Sequence, residues 1–244
     1  MTPMSALARN QLAPNGRLRA ALNYSNVLLV SARTPEHTGV APDLARELAR
    51  RAQATVEFVG YENAGMAADA ANGDAWDVVF IGAEPARARE IAFTPAYAEI
   101  EATYLLPAHS PIRTLEDIDR DGVRIATAAR AAYTLYLQRT LRHATLLEAN
   151  GIQDSFDLFA RFGLDALAGL KPRLLDDVQK LPGAYLLEGR FTAVQQSMGV
   201  PHQRAAAATY LTAFADEITS SGLLREIIER HDVRGLSIVA PPSR

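Results

Sequence analysis

The chain of 244 residues contains no cysteine, which excludes disulfides and thiolate chemistry whatever the redox state of its compartment. Lysine is nearly absent: of 25 basic residues only Lys171 and Lys180 are Lys, and the formal net charge of −3 gives no basic surface for nucleic acid or an acidic membrane. No stretch approaches the ~20 continuous apolar residues of a membrane span, so direct membrane insertion is not expected. The first twenty residues carry polar residues or Pro throughout and lack the roughly 7–15-residue apolar core of a secretory signal. His37, His109, His143, His202 and His231 are scattered, without the close or i, i+4 pairing a zinc site favours, and no metal or other cofactor is expected. The chain also lacks a GxSxG elbow, a GxxxxGK[ST] loop and a GxGxxG turn, which removes sequence support for hydrolase, phosphoryl-transfer and hydride chemistry.

What is present is an alternation of strands and helices. With 48% hydrophobic and 22% charged residues, the chain can bury one large or two small domains. Leu18–Leu22, Thr55–Val59 and Asp77–Ile81 read as strands separated by helices at Pro42–Ala52 and Met66–Ala71, two β-α-β units whose right-handed crossovers predict a parallel sheet. Ligand sites in such sheets lie beyond the strands' carboxyl ends, the edge held by Asn23–Asn26 and by Gly82–Arg87. The segment Asp77–Tyr97, DVVFIGAEPARAREIAFTPAY, concentrates the chemistry. Gly82 is expected to turn the backbone after a buried apolar run, and Pro85 to open a short helix whose free amides and positive end favour an anion. Arg87 would add a planar fork for a carboxylate. The competing reading of the same residues is a surface Arg paired with Glu84 or Glu90.

After Tyr97 the pattern changes. Ile100–Leu106 reads as an extended crossing that ends at Pro107, a second α/β set follows, and Phe191–Gln196 reads as a second crossing before helices at His202–Ser221 and Leu224–His231. The expected architecture is α/β with two lobes, a discontinuous lobe 1 of residues 1–103 plus 192–244 and a lobe 2 of residues 104–191, joined by two hinge strands. Such hinges permit closure on a ligand.

Four segments, in order and spacing, carry a family resemblance: GVAPDLARELARRAQATVEFVGYE at Gly39–Glu62, WDVVFIG at Trp76–Gly82, PARAREIAFTPAY at Pro85–Tyr97 and SPIRTLEDIDRDGVRIAT at Ser110–Thr127. Together they resemble the type 2 periplasmic solute-binding proteins of ABC importers, in the polar amino acid branch, the bacterial extracellular solute-binding proteins of family 3. The resemblance covers nearly the whole chain. It implies the type II periplasmic-binding-protein-like fold, each lobe a mostly parallel sheet flanked by helices.

It also implies ligand-contacting positions. Arg87 matches the family's clamp on the ligand α-carboxylate, with Gly82 in the preceding turn. Tyr24 and Asn26 fall in the loop that supplies a stacking or hydrogen-bonding side chain, or are ordinary turn residues. Glu84 stands near the small hydroxyl residue that meets the ligand ammonium, or serves as a helix-start charge. In the second lobe Arg130 and Ala131 occupy the positions of a Gly-Ser/Thr turn, and Tyr133 is a candidate wall residue or simple helix packing. Leu170 replaces the usual ammonium-binding Asp. The expected ligand is therefore a small carboxylate or an amino acid-like molecule.

The implied function is a non-enzymatic solute receptor, a monomer that closes on its ligand and delivers it to an ABC permease. Its location would be periplasmic by resemblance, or cytoplasmic given the start of the chain. The alternatives are a cytoplasmic ligand sensor of the same fold, or an enzyme resembling cyclohexadienyl dehydratase with Glu84 as general acid.

Overall fold

A computed structural model describes residues 2–240. The chain divides into two compact units, Met1–Glu99 with Gln195–Arg244, and Ile100–Val194.

In the first unit, α1 (Ala6–Leu12) leads into β1 (Arg17–Asn23), α2 (Val40–Ala52), β2 (Thr55–Tyr61), α3 (Ala64–Asp69), β3 (Val78–Gly82) and a short β4 (Ile91–Phe93). β1 pairs in parallel with β2 and with β3, as the β-α-β reading requires. All five residues of β3 are buried, which is why its sequence is an unbroken apolar run instead of an alternation. α2 buries Leu44, Ala45, Leu48, Ala49 and Ala52 along one face. It starts at Val40, two residues before Pro42, because Gly39 caps it with φ 129°, a conformation that L side chains rarely adopt. A Cβ at Gly39 would also stand 2.5 Å from the Leu29 carbonyl oxygen. The helix ends at Gln53, left-handed at φ 54°, whose N–H caps the Ala49 and Arg50 carbonyls. Between α3 and β3, Trp76 is buried against Ala64, Ala67, Val79, Ile81 and Ile91, and its indole N–H donates to the Ala67 carbonyl at 3.0 Å. A buried side chain of this size contributes roughly 2–3 kcal/mol.

The chain passes into the second unit along β5 (Ala98–Leu106). There β6 (Arg124–Ala128), α4 (Ala132–Thr140), β7 (Thr145–Ala149), α5 (Ile152–Phe162), β8 (Ala166–Leu170), α6 (Lys171–Asp177) and the two-residue β9 (Tyr185–Leu186) build a sheet ordered β5-β8-β6-β7, with β9 on β5. β6 is parallel to both β7 and β8, whereas β5 is antiparallel to β8. Tyr104, Ile118, Ile125, Leu137 and Ala166 pack one cluster of this unit's core, and Leu105, Phe159, Leu164 and Leu174 another.

β10 (Thr192–Pro201) returns the chain to the first unit, where it lies antiparallel to β3 and β4. α7 (Ala205–Ser220), α8 (Leu223–Arg230) and β11 (Ser237–Ile238), antiparallel to β5 at Ala98 and Glu99, complete it. The sheet of the first unit is thus mixed, ordered β2-β1-β3-β10. The parallel expectation holds for β1, β2 and β3, and the returning β10 breaks it. At the amino end of β3, Asp77 is wholly buried and accepts from the backbone N–H of Arg19 at 2.7 Å, from its Nη2 at 2.8 Å and from Arg204 at 2.5 Å. This carboxylate ties β1 and the start of α7 to one point. Among the described residues no helix is long and apolar enough to cross a membrane.

Candidate functional site

β3 ends where the chemistry begins. Gly82 does not make the turn: it is the last strand residue, paired with Gln196 of β10. Nor does Pro85 open a helix. The chain has only eight residues between Gly82 and Ile91 before β4 must pair with β10, so it makes a turn and one 3-10 turn, Arg87–Arg89. That pairing needs a close approach, since a Cβ on Gly199 would stand 2.4 Å from Ile91 Cγ2. The N–H groups of Arg87 and Ala88 both donate to the Glu84 carbonyl at 2.9 Å. The expected helix-start anion site is therefore replaced by a closed turn, and positive charge at this edge comes from the Arg87 side chain.

Arg87 is 5% exposed, and its Nη1 donates to the Gly82 carbonyl at 2.6 Å. This corrects the surface reading of Arg87. A guanidinium is chosen over an ammonium for such a place because it is weakly hydrated and its planar fork keeps its geometry when buried. Glu84, half-buried, supplies the carbonyl that closes the turn.

The loop after β1 reaches the same strand end. Asn23 Oδ1 accepts from Ser25 N–H at 3.2 Å and from Ser25 Oγ–H at 2.8 Å, an Asx turn that reverses the chain. Asn26 is buried, its Nδ2 donates to Gln196 Oε1 at 3.4 Å, and its Oδ1 is buried without a hydrogen bond. Because Gln196 lies opposite Gly82, Asn26, Gln196, Gly82 and Arg87 form one connected polar patch beyond the carboxyl ends of β1 and β3. The next β10 residue, Ser197, is also buried with its hydroxyl unbonded. Successive strand side chains alternate faces, so Ser197 points away from the face of Gln196, and Asn26 Oδ1 is the unbonded oxygen of the patch; a buried polar atom without a partner is rare and costs about 1–3 kcal/mol.

Tyr24 is turned to a different set of neighbours. Its hydroxyl hydrogen-bonds His37 Nε2 at 2.7 Å, the Arg33 guanidinium lies 4.2 Å from its ring centroid, and the ring lies so close over Gly60 that a Cβ there would meet it at 2.1 Å. Arg33 is held in turn by Glu62 at 3.2 Å. Burial, and then the charge of Arg46, push the His37 imidazolium pKa down.

In the second unit, Arg130 follows β6 in the left-handed region at φ 61° and is exposed. Ala131 caps α4 in an extended conformation and donates its N–H to the Ala128 carbonyl at 3.2 Å. Tyr133 is 3% exposed, and burial raises its phenol pKa. Beneath this turn Thr127 and Thr134 share a hydroxyl–hydroxyl bond of 2.6 Å, and Thr134 donates to the Ala128 carbonyl. Leu170 is the N-cap of α6 and provides no side-chain cap.

Sequence reasoning missed Gln196, Ser197 and His37 as residues of these surroundings. The signal for the first two was the polar run Gln195, Gln196, Ser197 inside an otherwise apolar strand, since polar residues are mostly exposed unless something pairs with them. His37 gave no local signal.

An α/β chain of two compact units, with a buried Arg and a buried Asn at the carboxyl edge of its first sheet, has the architecture of the type II periplasmic-binding-protein-like class. The family model of bacterial extracellular solute-binding proteins, family 3, matches residues 22–232, and the chain belongs to that family. It is similar in fold to an ArgBP variant from T. maritima, at 18% identity and TM-score 0.75, covering 91% of this chain and 98% of that one. It is likewise similar to the ancestral amino acid-binding protein AncCDT-1, a precursor of cyclohexadienyl dehydratase, at 18% identity and TM-score 0.74, covering 93% and 99%. A putative binding component of an ABC transporter from Wolinella succinogenes, complexed with lysine, aligns at 16% identity and TM-score 0.75 over 88% and 95%. No curated protein matches the chain by sequence.

Proposed function

We propose that this protein is a periplasmic, non-enzymatic receptor for a small carboxylate or amino acid-like solute, handed to an ABC permease, with Arg87 as the carboxylate clamp. The observation that carries this reading is the burial of Arg87 against the end of β3, in one connected patch with Gln196 and with Asn26, whose Oδ1 is buried and unbonded. Asn26, Gly82, Glu84 and Tyr24 complete the proposed contacts on the first unit. On the second unit the proposed contacts are Arg130, Ala131 and Tyr133. Because Leu170 stands where an ammonium-binding Asp is usual, and Arg130 adds a cation, the preferred ligands are organic acids, dicarboxylates and aromatic or modified amino acids over arginine and lysine.

The test is a thermal-shift screen of these classes followed by calorimetry on Arg87→Ala. A charge-assisted pair is worth about 1.5–3 kcal/mol, so affinity for the best ligand is expected to fall at least ~10-fold. Unchanged affinity removes Arg87 from the site, and a clear preference for arginine or lysine overturns the ligand class. Turnover of prephenate by the intact protein would replace the receptor reading with the dehydratase-like one.

A further inference from the structure

Asn is followed by Gly at three places in the chain, Asn15 with Gly16, Asn72 with Gly73 and Asn150 with Gly151, and all three Asn residues are exposed. Asn-Gly is the pair most open to intramolecular ring closure, because Gly has no side chain to shield its backbone nitrogen and leaves the chain free to bring that nitrogen onto the Asn side-chain carbonyl carbon. We propose that Asn150 is a site of spontaneous covalent modification, deamidated through a succinimide to aspartate and isoaspartate, and that the fold protects Asn15 and Asn72 from the same reaction.

The step balances with water as its sole co-reactant. The Gly151 nitrogen gives its proton to solvent and forms a bond to Asn150 Cγ; the Cγ–Nδ2 bond breaks, and the nitrogen takes up a proton from solvent and leaves as ammonia. Water then opens the ring at either carbonyl. One opening leaves the carboxylate on the side chain, and the other reroutes the main chain through Cγ and leaves the carboxylate on the backbone carbon. The first step needs two groups free, the N–H that follows the Asn and the side-chain carboxamide.

Of the three pairs, Asn150 with Gly151 has both. At Asn15 the backbone is left-handed, φ 57° and ψ 28°, and the Gly16 N–H donates to the Ala13 carbonyl at 3.1 Å. At Asn72 the backbone is fixed within the 3-10 turn Ala70–Gly73, and Nδ2 donates to Glu90 Oε2 at 2.7 Å. Asn150 follows the last residue of β7 and precedes Gly151, the N-cap of α5. Among the described residues neither the Asn150 side chain nor the Gly151 N–H has a hydrogen-bond partner; Gly151 is engaged through its carbonyl, which accepts from Ser155 N–H at 3.0 Å. Charge acts in both directions here. The positive amino end of α5 favours the anion formed when the Gly151 nitrogen loses its proton, and Asp154 in the first turn opposes it. Asp154 is exposed, so water and salt screen its charge. The product adds a negative charge at the carboxyl edge of β7, where the Ala149 carbonyl accepts from Ala129 N–H at 2.8 Å, one residue before Arg130.

The test incubates the full chain at mildly alkaline pH, folded and in urea, and follows the three Asn-Gly peptides by mass spectrometry with fragmentation that distinguishes isoaspartate. In the folded chain Asn150 is expected to convert at least ~10-fold faster than Asn15 or Asn72, the effect of a hydrogen bond that must break first. In urea the three rates should converge, since no turn then holds Gly16 or Asn72. Gly151→Ala tests the attacking atom. The backbone there is extended at φ −165°, and a Cβ would stand 3.7 Å from Asp154 Oδ2, an ordinary contact, so the fold is kept while the nitrogen is shielded. This variant should slow conversion of Asn150 at least ~10-fold. Asn150→Gln, whose ring would be larger and closes more slowly, should remove the acidic species that accumulates on anion exchange. Conversion of Asn150 no faster than that of Asn15 and Asn72 in the folded chain, an unchanged rate in Gly151→Ala, or an undiminished acidic species in Asn150→Gln overturns the site. The same ranking of the three rates in urea as in the folded chain overturns the protection by the fold.

Discussion

The guanidinium of Arg87 donates to the carbonyl of Gly82 at 2.6 Å, so the cation is held by the backbone of the strand that precedes it in sequence. Because Gly82 is also paired with Gln196 of β10, the position of Arg87 depends on the returning chain as much as on its own turn.

The buried Asp77 is expected to be the most sensitive carboxylate of the first unit. Asp77→Asn keeps the volume but leaves the Arg19 and Arg204 guanidiniums facing a neutral amide, with the exposed Asp74, 2.9 Å from each, as their remaining carboxylate. Removing one partner of a buried ion cluster costs about 3–5 kcal/mol, and Asn retains one acceptor oxygen, so a loss of about 3 kcal/mol is expected in urea unfolding. A change below ~0.5 kcal/mol, the scale of an ordinary surface substitution, would contradict the burial described for Asp77.

His37 is expected to make stability depend on pH above the carboxylate range. Its folded pKa is depressed, so the unfolded chain binds a proton at about 6.5 that the folded chain does not. The contribution is present above about pH 6.5 and is lost as pH falls through the folded value. Asp43 acts lower. Burial raises its pKa, but His231, Arg230 and Arg46 together hold it below the usual value, so its contribution is present above about pH 3.9 and fades as pH falls further. Denaturation midpoints from pH 7.5 to 5 should fall for the wild type and fall less steeply for His37→Asn. Equal slopes would show that His37 titrates alike in both states.

Arg130 offers a separation of stability from binding. An L residue in the left-handed region costs about 1–2 kcal/mol, while Gly adds unfolded-state entropy that offsets part of the gain. Arg130→Gly should therefore raise stability by roughly 0.5–1 kcal/mol. If Arg130 contacts the ligand, the same variant should bind the best ligand of the screen at least ~10-fold more weakly. Stability gained with affinity intact would leave Arg130 a structural residue only.

Much of the fold was legible because the periods are local. The apolar run Val78–Ile81 reads as a strand buried on both faces, and the Leu44, Ala45, Leu48, Ala49 stripe as a helix on a sheet, and both form as read. Arg87 was legible as a candidate from its place after that strand, and so were Asn26 and Gly82. The geometry that surrounds them was not. Pro85 has the local properties of a helix start, yet the segment has no length for a helix once β4 pairs with β10, a partner more than a hundred residues away.

From residues alone come the strand and helix order, the two crossings at Ile100–Leu106 and Phe191–Gln196, and the exclusion of disulfide, membrane-span and common cofactor-motif chemistry. The tertiary structure decided what the side chains meet. It turned Tyr24 toward His37 and Arg33, and placed Gln196 and Asn26 beside the Arg87 turn. The physical reason is range: hydrophobic period and turn chemistry act over a few residues. Burial, hydrogen-bond satisfaction and charge pairing act between groups that only the folded chain brings to within 3 or 4 Å, the reach of these interactions.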